Sequence, residues 1–156
     1  QKYGEFGMTS IPLLQSTQGI PTPSVFAKNV GNPAALKNFY HPWSFNDIAD
    51  AAVRKQWGDM YKKHFPGREA GPFMVTGLPS ALSVVDTLQR MGRDLTREKF
   101  VDAMEKLELK TALMPQALQF GPGRRDALRG VYVVKFDGVS QKVMPGVYAW
   151  NGKDGM

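Results

Sequence analysis

The histidines, His41 and His64, stand 23 positions apart in a 156-residue chain that has no cysteine. A zinc site needs three or four nitrogen or sulfur donors at close spacing, so this pair does not make one. Without cysteine there is no disulfide, no thiolate ligand and no sulfur nucleophile. His64 falls at the C-terminal end of a helical pattern, where the helix dipole favours a surface imidazolium rather than a catalytic base. Asp102, Glu105 and Glu108 recur every three residues, beside Lys99, Lys106 and Lys110. Oppositely charged residues three and four apart make a solvated, paired helix surface, not an acid–base dyad. The glycines form neither a Gly-x-Gly-x-x-Gly turn nor a Walker loop, and Gly121-Pro122-Gly123 is too stiff to cradle phosphate. No serine lies in a Gly-x-Ser-x-Gly elbow. This inventory calls for no enzyme, no metal and no cofactor.

Reversible binding needs less: hydroxyls, amides and aromatic rings at the rim of a sheet. Ile11-Pro12-Leu13-Leu14 is a short apolar run, and Gln15, Ser16 and Thr17 follow it. That is how a buried parallel strand ends in an open α/β sheet. Ligands in such folds sit beyond the carboxyl ends of strands. Gln15, Ser16 and Thr17 therefore stand where a ligand could be met, or where the next element is capped. Pro21, Pro23 and Pro33 exclude one long helix between them, with a helical turn or two over Val25 to Val30. Alternation over Leu36 to His41 predicts a strand that Pro42 ends. Asn46 or Asp47 can cap a helix running to about His64, with Ile48, Ala52, Trp57, Met60 and Tyr61 on its buried side.

The middle of the chain is organised by Pro72 to Leu107. Leu82, Val85, Leu88 and Met91 recur every three residues and predict one apolar stripe, and Gly92 follows as a helix stop. Thr96 is a predicted N-cap, and Phe100, Val101, Met104 and Leu107 make a second stripe. With so short a connection the two helices should lie side by side over a shared core. Val131 to Phe136, a turn at Asp137-Gly138 and a run from Val143 to Trp150 broken at Pro145-Gly146 predict a terminal hairpin.

The net charge is +6, from 20 basic and 14 acidic residues. The basic residues cluster no further than Lys62-Lys63 and Arg124-Arg125, so no nucleic-acid partner is expected. No apolar run approaches the roughly 20 residues that span a bilayer.

Several motifs in order resemble one family. A short apolar run and a glycine, here Phe73 to Gly77, precede an amphipathic helix that ends in Gly92. Asp94-Leu95-Thr96-Arg97-Glu98-Lys99 follows, then Phe120-Gly121-Pro122 with Arg124-Arg125, then the strand Val131 to Lys135. Tyr61-Lys62-Lys63-His64-Phe65 also fits. The chain from about Ile11 onward resembles the C-terminal portion of the type I periplasmic substrate-binding proteins of ABC transporters, the branched-chain amino acid group. It departs from them where Leu78 and Pro79 replace an aromatic and an acidic residue.

The resemblance implies an α/β fold of two Rossmann-like lobes with parallel-sheet cores, of which this is a C-terminal fragment. Residues 1–42 would belong to the C-terminal lobe, 43–129 to the N-terminal lobe, and 130–156 to a hinge crossing and strands returning to the C-terminal lobe. The implied function is periplasmic capture of an amino acid, amide, or aromatic or aliphatic acid, without covalent chemistry. The implied partners are that solute, an ABC-transporter permease and a missing N-terminal part of the same protein. Gln15, Ser16 and Thr17 would face the ligand from one lobe, Tyr40 and His41 from near the hinge, and Thr76, Gly77 and Leu78 from the other lobe. Trp43 and Phe45 would stand at the cleft or simply staple the next helix. A ligand-sensing regulatory domain of the same fold and a small α/β enzyme are the alternatives.

Overall fold

The computed structural model describes residues 5–16, 28, 30, 31, 33–68, 72–137 and 139–149. Thr17, Pro21, Pro23, Val25, Gly138 and Trp150 lie outside the described residues. In chain order the strands and α-helices are β1 (Leu13–Leu14), β2 (Phe39–Trp43), α1 (Ala51–His64), α2 (Leu78–Met91), α3 (Arg97–Met104), β3 (Glu108–Leu109), β4 (Leu118–Gln119), β5 (Gly130–Phe136), β6 (Gln141–Val143) and β7 (Tyr148–Ala149). Short 3-10 turns cover Met8–Ser10, Pro33–Leu36 and Pro72–Gly77.

The main sheet runs β1-β2-β5-β6, with β7 also pairing with β5, and β3 and β4 make a separate ribbon. Among the described residues parallel pairing is confined to β1 and β2; β5 is antiparallel to β2, β6 and β7. The expected parallel core is thus mostly an antiparallel sheet among the described residues. The run ending in Leu14 is a short edge strand rather than a buried one, with Leu14 73% and Ile11 51% exposed.

β2 does not end at Pro42. Leu36 lies in the preceding 3-10 turn, and Pro42 sits inside the strand opposite Val133. The Tyr40 carbonyl accepts from Gln15 N on the β1 side. Residue 42, two positions on, turns its nitrogen to that same side, and β1 stops before reaching it. A proline can sit where the ladder has no partner for its missing N–H.

Side chains alternate along β2, so that Phe39, His41 and Trp43 are buried. The apolar core has two clusters. Leu36, Phe39 and Phe136, with Leu13 and Val30, make the smaller. Trp43, Phe45, Val53, Val75, Leu113, Met114, Leu118 and Val134 make the larger. Trp43 and Phe45 therefore staple the helical layer, their rings edge to face at 5.3 Å.

Asp50, not Asn46 or Asp47, caps α1; its carboxylate accepts from the N–H groups of Ala52 and Val53. Asn46 and Asp47 are engaged earlier. The Asn46 side chain donates to the Ala112 carbonyl at 2.7 Å and accepts from the Tyr132 hydroxyl at 2.6 Å, and Asp47 accepts from the Trp43 indole at 2.7 Å. Val53, Trp57, Met60 and Tyr61 face inward while Ala52 is exposed.

α2 corrects the sequence reading most sharply. Positions three apart on an α-helix fall short of a full turn by about 60°, so four of them wrap half the circumference rather than forming one stripe. The inward side is Ser83 and Thr87, while Val85 and Leu88 are exposed. The buried hydroxyls are satisfied: Ser83 donates to the Pro79 carbonyl at 2.8 Å and Thr87 to the Met104 sulfur at 3.0 Å. That second bond, and Arg90 donating to the Ala103 carbonyl, hold α2 and α3 side by side as expected. Gly92, at φ 67°, ends α2 in the left-handed region, and Thr96 caps α3 by accepting from Lys99 N. Met104 is half-buried and Leu107 is buried just past the end of α3, whereas Val101 faces outward.

The hairpin forms, with β6 beginning two residues before the expected run and β7 following the break at Pro145-Gly146. Asp137 accepts from Val139 N and Ser140 N and from the Ser140 hydroxyl, which tightens the turn and holds its carboxyl below the usual range. Replacing Asp50 by alanine removes the one oxygen that accepts both cap hydrogen bonds of α1 and should lower stability by about 1 kcal/mol, with Asp50→Asn retaining most of it. Thermal melts of the two variants check this.

Candidate functional site

The polar rim beyond β1 is built by register. Leu14 pairs with Tyr40, and Gln15 N donates to the Tyr40 carbonyl at 3.1 Å. This places Gln15 and the exposed Ser16 at the end of β1, next to Tyr40 on β2. On the next strand Lys135 is the register partner of Tyr40, with its ammonium 5.7 Å from the ring centroid. A cation at that distance is attracted to the ring face, by about 0.5–1 kcal/mol at a half-exposed position. Tyr40 and Lys135 put a phenol and an ammonium together on one face of the sheet, and the backbone of Gln15 lies at the adjacent strand end. Lys135 was missed by sequence reasoning, because only the β2–β5 register brings it to Tyr40.

His41 is placed differently. Its side chain points to the opposite face from Tyr40 and is 2% exposed. It sits between Phe39 and Trp43, 6.2 Å from each ring centroid, where the two apolar clusters meet along β2. Its Nδ1 lies 3.2 Å from the Pro42 carbonyl and its Nε2 lies 3.0 Å from the Gln141 amide nitrogen. An Nδ1–H tautomer fits both: Nδ1 donates to the carbonyl, and Nε2 accepts from the amide. Burial pushes the imidazole below its ordinary pKa, partly offset by the Pro42 carbonyl.

Thr76 and Gly77 close the 3-10 turn that leads into α2, and Leu78 opens the helix. Gly77 occupies the N-cap position and Pro79 follows in the first turn, which suits its fixed φ. Leu78 packs on the larger apolar cluster. Thr76 lines a cavity of about 360 Å³ with Ser80, Ser83, Met104, Met114 and Phe120 among its walls. Leu78 instead lines a second cavity of about 340 Å³, with Met60, Tyr61, His64 and Phe65. Tyr40 and Trp43 are three residues apart on β2, about 10 Å. Thus Gln15, Ser16 and Tyr40 are neighbours along the β1–β2 pairing, Thr76 and Leu78 line separate cavities, and His41 lies within the sheet. Thr17 lies outside the described residues.

No family model matches the chain, and no relative is found among curated proteins. Among solved structures it is similar to a protein described as a possible leucine/isoleucine/valine-binding protein from Rhodopirellula baltica, at 13% identity and TM-score 0.66, over 85% of this chain and 35% of that one. It is also similar to a fatty acid ABC transporter substrate-binding protein from Thermomonospora curvata, at 20% identity and TM-score 0.69, over 96% of this chain and 40% of that one. The likeness is one of fold: these residues take the α/β fold of the type I periplasmic substrate-binding proteins over part of its extent. The chain spans about 35–40% of the length of the structures it matches. Both neighbours are named as binding proteins rather than enzymes. No helix among the described residues is long and apolar enough to cross a membrane.

The environment of His41 sets a pH dependence. With a folded pKa below the unfolded one, near 6.5, the unfolded chain binds the proton first as pH falls. The stability tied to the neutral ring is complete above about pH 6.5 and is lost on descent through the folded value. The melting temperature should fall between about pH 7.5 and about pH 5, and His41→Gln should flatten that part of the curve. A His41→Gln variant with the unchanged pH slope would remove His41 as its source.

Proposed function

We propose that this chain is part of an extracytoplasmic solute receptor that captures a small carboxylate-bearing or amide ligand for uptake by an ABC-transporter permease. The observation that carries the reading is the fold shared with two binding proteins over 85% and 96% of this chain. Those proteins are named for branched-chain amino acids and for fatty acids. The two ligand classes share a carboxylate and an aliphatic portion. In this reading Lys135 supplies a cation for an acidic head and Tyr40 a ring face beside it, with Gln15 and Ser16 completing the contacts from the end of β1.

In this reading residues 1–42 belong to one lobe, 43–129 to the other, and 130–156 carry the crossing and the return. The two apolar clusters that meet at His41 support a boundary there. Tyr40 and His41 lie at that boundary, the first toward the ligand and the second within the sheet. Thr17 completes the rim after β1, and Thr76, Gly77 and Leu78 face the ligand from the second lobe. Closure of the lobes would bury the solute, with hydrogen bonds from both sides stabilising the closed state. No chemical step is involved, and the protein works outside the cytoplasm.

The test is a thermal-shift and calorimetric screen of the full-length polypeptide that contains this chain. The panel holds branched-chain amino acids, their amides, aromatic acids and medium-chain fatty acids. At least one class should raise the melting temperature. Lys135→Met should then weaken a carboxylate ligand by about tenfold or more while leaving its amide less affected, since a charge-assisted hydrogen bond contributes about 1.5–3 kcal/mol. Silence across the whole panel would overturn the reading.

A further inference from the structure

Gly121-Pro122-Gly123 and Arg124-Arg125 have no part in the proposed solute site. Residues 121–124 make a tight turn closed by two hydrogen bonds. Gly121 N donates to the Arg124 carbonyl at 3.2 Å, and Arg124 N donates to the Gly121 carbonyl at 2.9 Å. Gly123, at φ 71°, takes the left-handed position that follows proline in such a turn. The two arginines leave the turn with different partners. Arg125 pairs with Glu105 at 2.6 Å. Arg124 is half-buried and makes no ion pair among the described residues. Its guanidinium donates to neutral oxygens: the Asp126 carbonyl at 3.1 Å, the Gln119 side chain at 3.4 Å and the Ala127 carbonyl at 3.5 Å. A guanidinium has five N–H groups, so two remain. Arg124 lines a recess of about 270 Å³ with Gln116, Gln119, Arg129 and Ala149. Gln119 turns its oxygen to Arg124, which leaves its amide nitrogen as a donor. Arg129 donates from Nε to the Asp126 carboxylate at 3.2 Å. Gln116 lies over Gly130, its side-chain oxygen 2.5 Å from where a Cβ at that glycine would stand. A larger residue at 130 would push Gln116 out of the wall.

We propose that this recess is a separate binding site for a small carboxylate. Its polar side chains, two guanidiniums and two carboxamides, are all able to donate. The Asp126 charge offsets that of Arg129 and leaves that of Arg124, so one negative charge completes the set. A carboxylate carries one charge, is planar, and meets a guanidinium fork with two parallel hydrogen bonds. The turn and the three neutral oxygens hold Arg124 in place before any ligand arrives, which lowers the cost of binding. The volume is below the roughly 300–1,000 Å³ of drug-sized ligand pockets, so the carboxylate carries only a short substituent. The cavities of about 360 and 340 Å³ have mostly apolar walls and no guanidinium. Register also separates the recess from Lys135. Gly130, opposite Ala149, stands five residues before Lys135 on β5, about 17 Å away. No single small ligand spans both, and the proposal does not rest on the solute-receptor reading.

The test is chemical protection of the arginines. Phenylglyoxal, which condenses with guanidinium groups, is applied to the full-length polypeptide that contains this chain, and the modified arginines are mapped by peptide mass. Sodium acetate is the probe, and sodium chloride at equal ionic strength is the reference. Acetate should slow modification of Arg124 and Arg129 saturably and leave the exposed Arg93 unchanged. Arg124→Gln should raise the acetate concentration that half-protects Arg129 by about tenfold or more, as for loss of a charge-assisted hydrogen bond. Gln116→Ala, at an exposed position, should raise the value for Arg124 by about fivefold. Lys135→Met should leave both values unchanged. Equal effects of acetate and chloride would reduce the protection to ionic screening and overturn the proposal. Protection by inorganic phosphate without protection by acetate overturns the carboxylate assignment. An Arg124 that resists the reagent with no acetate present puts another part of the polypeptide in the recess, which overturns it too. Failure to bind any solute, with Arg124 protected by acetate, would sink the receptor reading and leave this site standing.

Discussion

The antiparallel pairing of β2 with β5 is the constraint on which the rest depends. It runs from Phe39 opposite Phe136 to Trp43 opposite Tyr132. Each apolar cluster draws on both strands: Phe39 and Phe136 enter one, Trp43 and Val134 the other. A slip of one residue would turn Phe39, His41 and Trp43 to the wrong face at once, which is why such a register is strongly specified. The same pairing sets Lys135 beside Tyr40, and β6 on the far side of β5 brings Gln141 to His41.

His41 shows how a polar group can be kept inside such a joint. Its two ring nitrogens have different partners, a carbonyl and an amide, and both fit a neutral ring. A second proton on Nε2 would face the Gln141 N–H group, so that contact and the burial both favour the neutral ring, against the smaller opposing pull of the Pro42 carbonyl. The neutral ring holds the seam between the clusters without a buried charge. Ser83 and Thr87 do the same for α2: each hydroxyl has an acceptor, so the polar side of the helix can face inward at little cost.

Among the described residues that arrangement leaves apolar surface open at two places on the fold. One is the outward sector of α2, and the other is β1, where Leu14 and Ile11 are exposed on an edge strand. Exposed strand edges and apolar helix faces are liabilities in a free chain.

The sequence by itself determined the local signals. Gly92 and Thr96 ended one helix and began the next, Asp137 made the turn, and the order of motifs pointed to the α/β fold that the structure has. These depend on backbone conformation and on side chains within a few residues. Tertiary structure decided what pairing decides. Pro42 sits inside β2 because β1 is too short to need its missing N–H. Asp50 caps α1 because Asn46 and Asp47 are held by Tyr132, Ala112 and Trp43. Which side of α2 is buried could not be read from spacing, because four residues at intervals of three point in four directions. Only the packed neighbours choose among them.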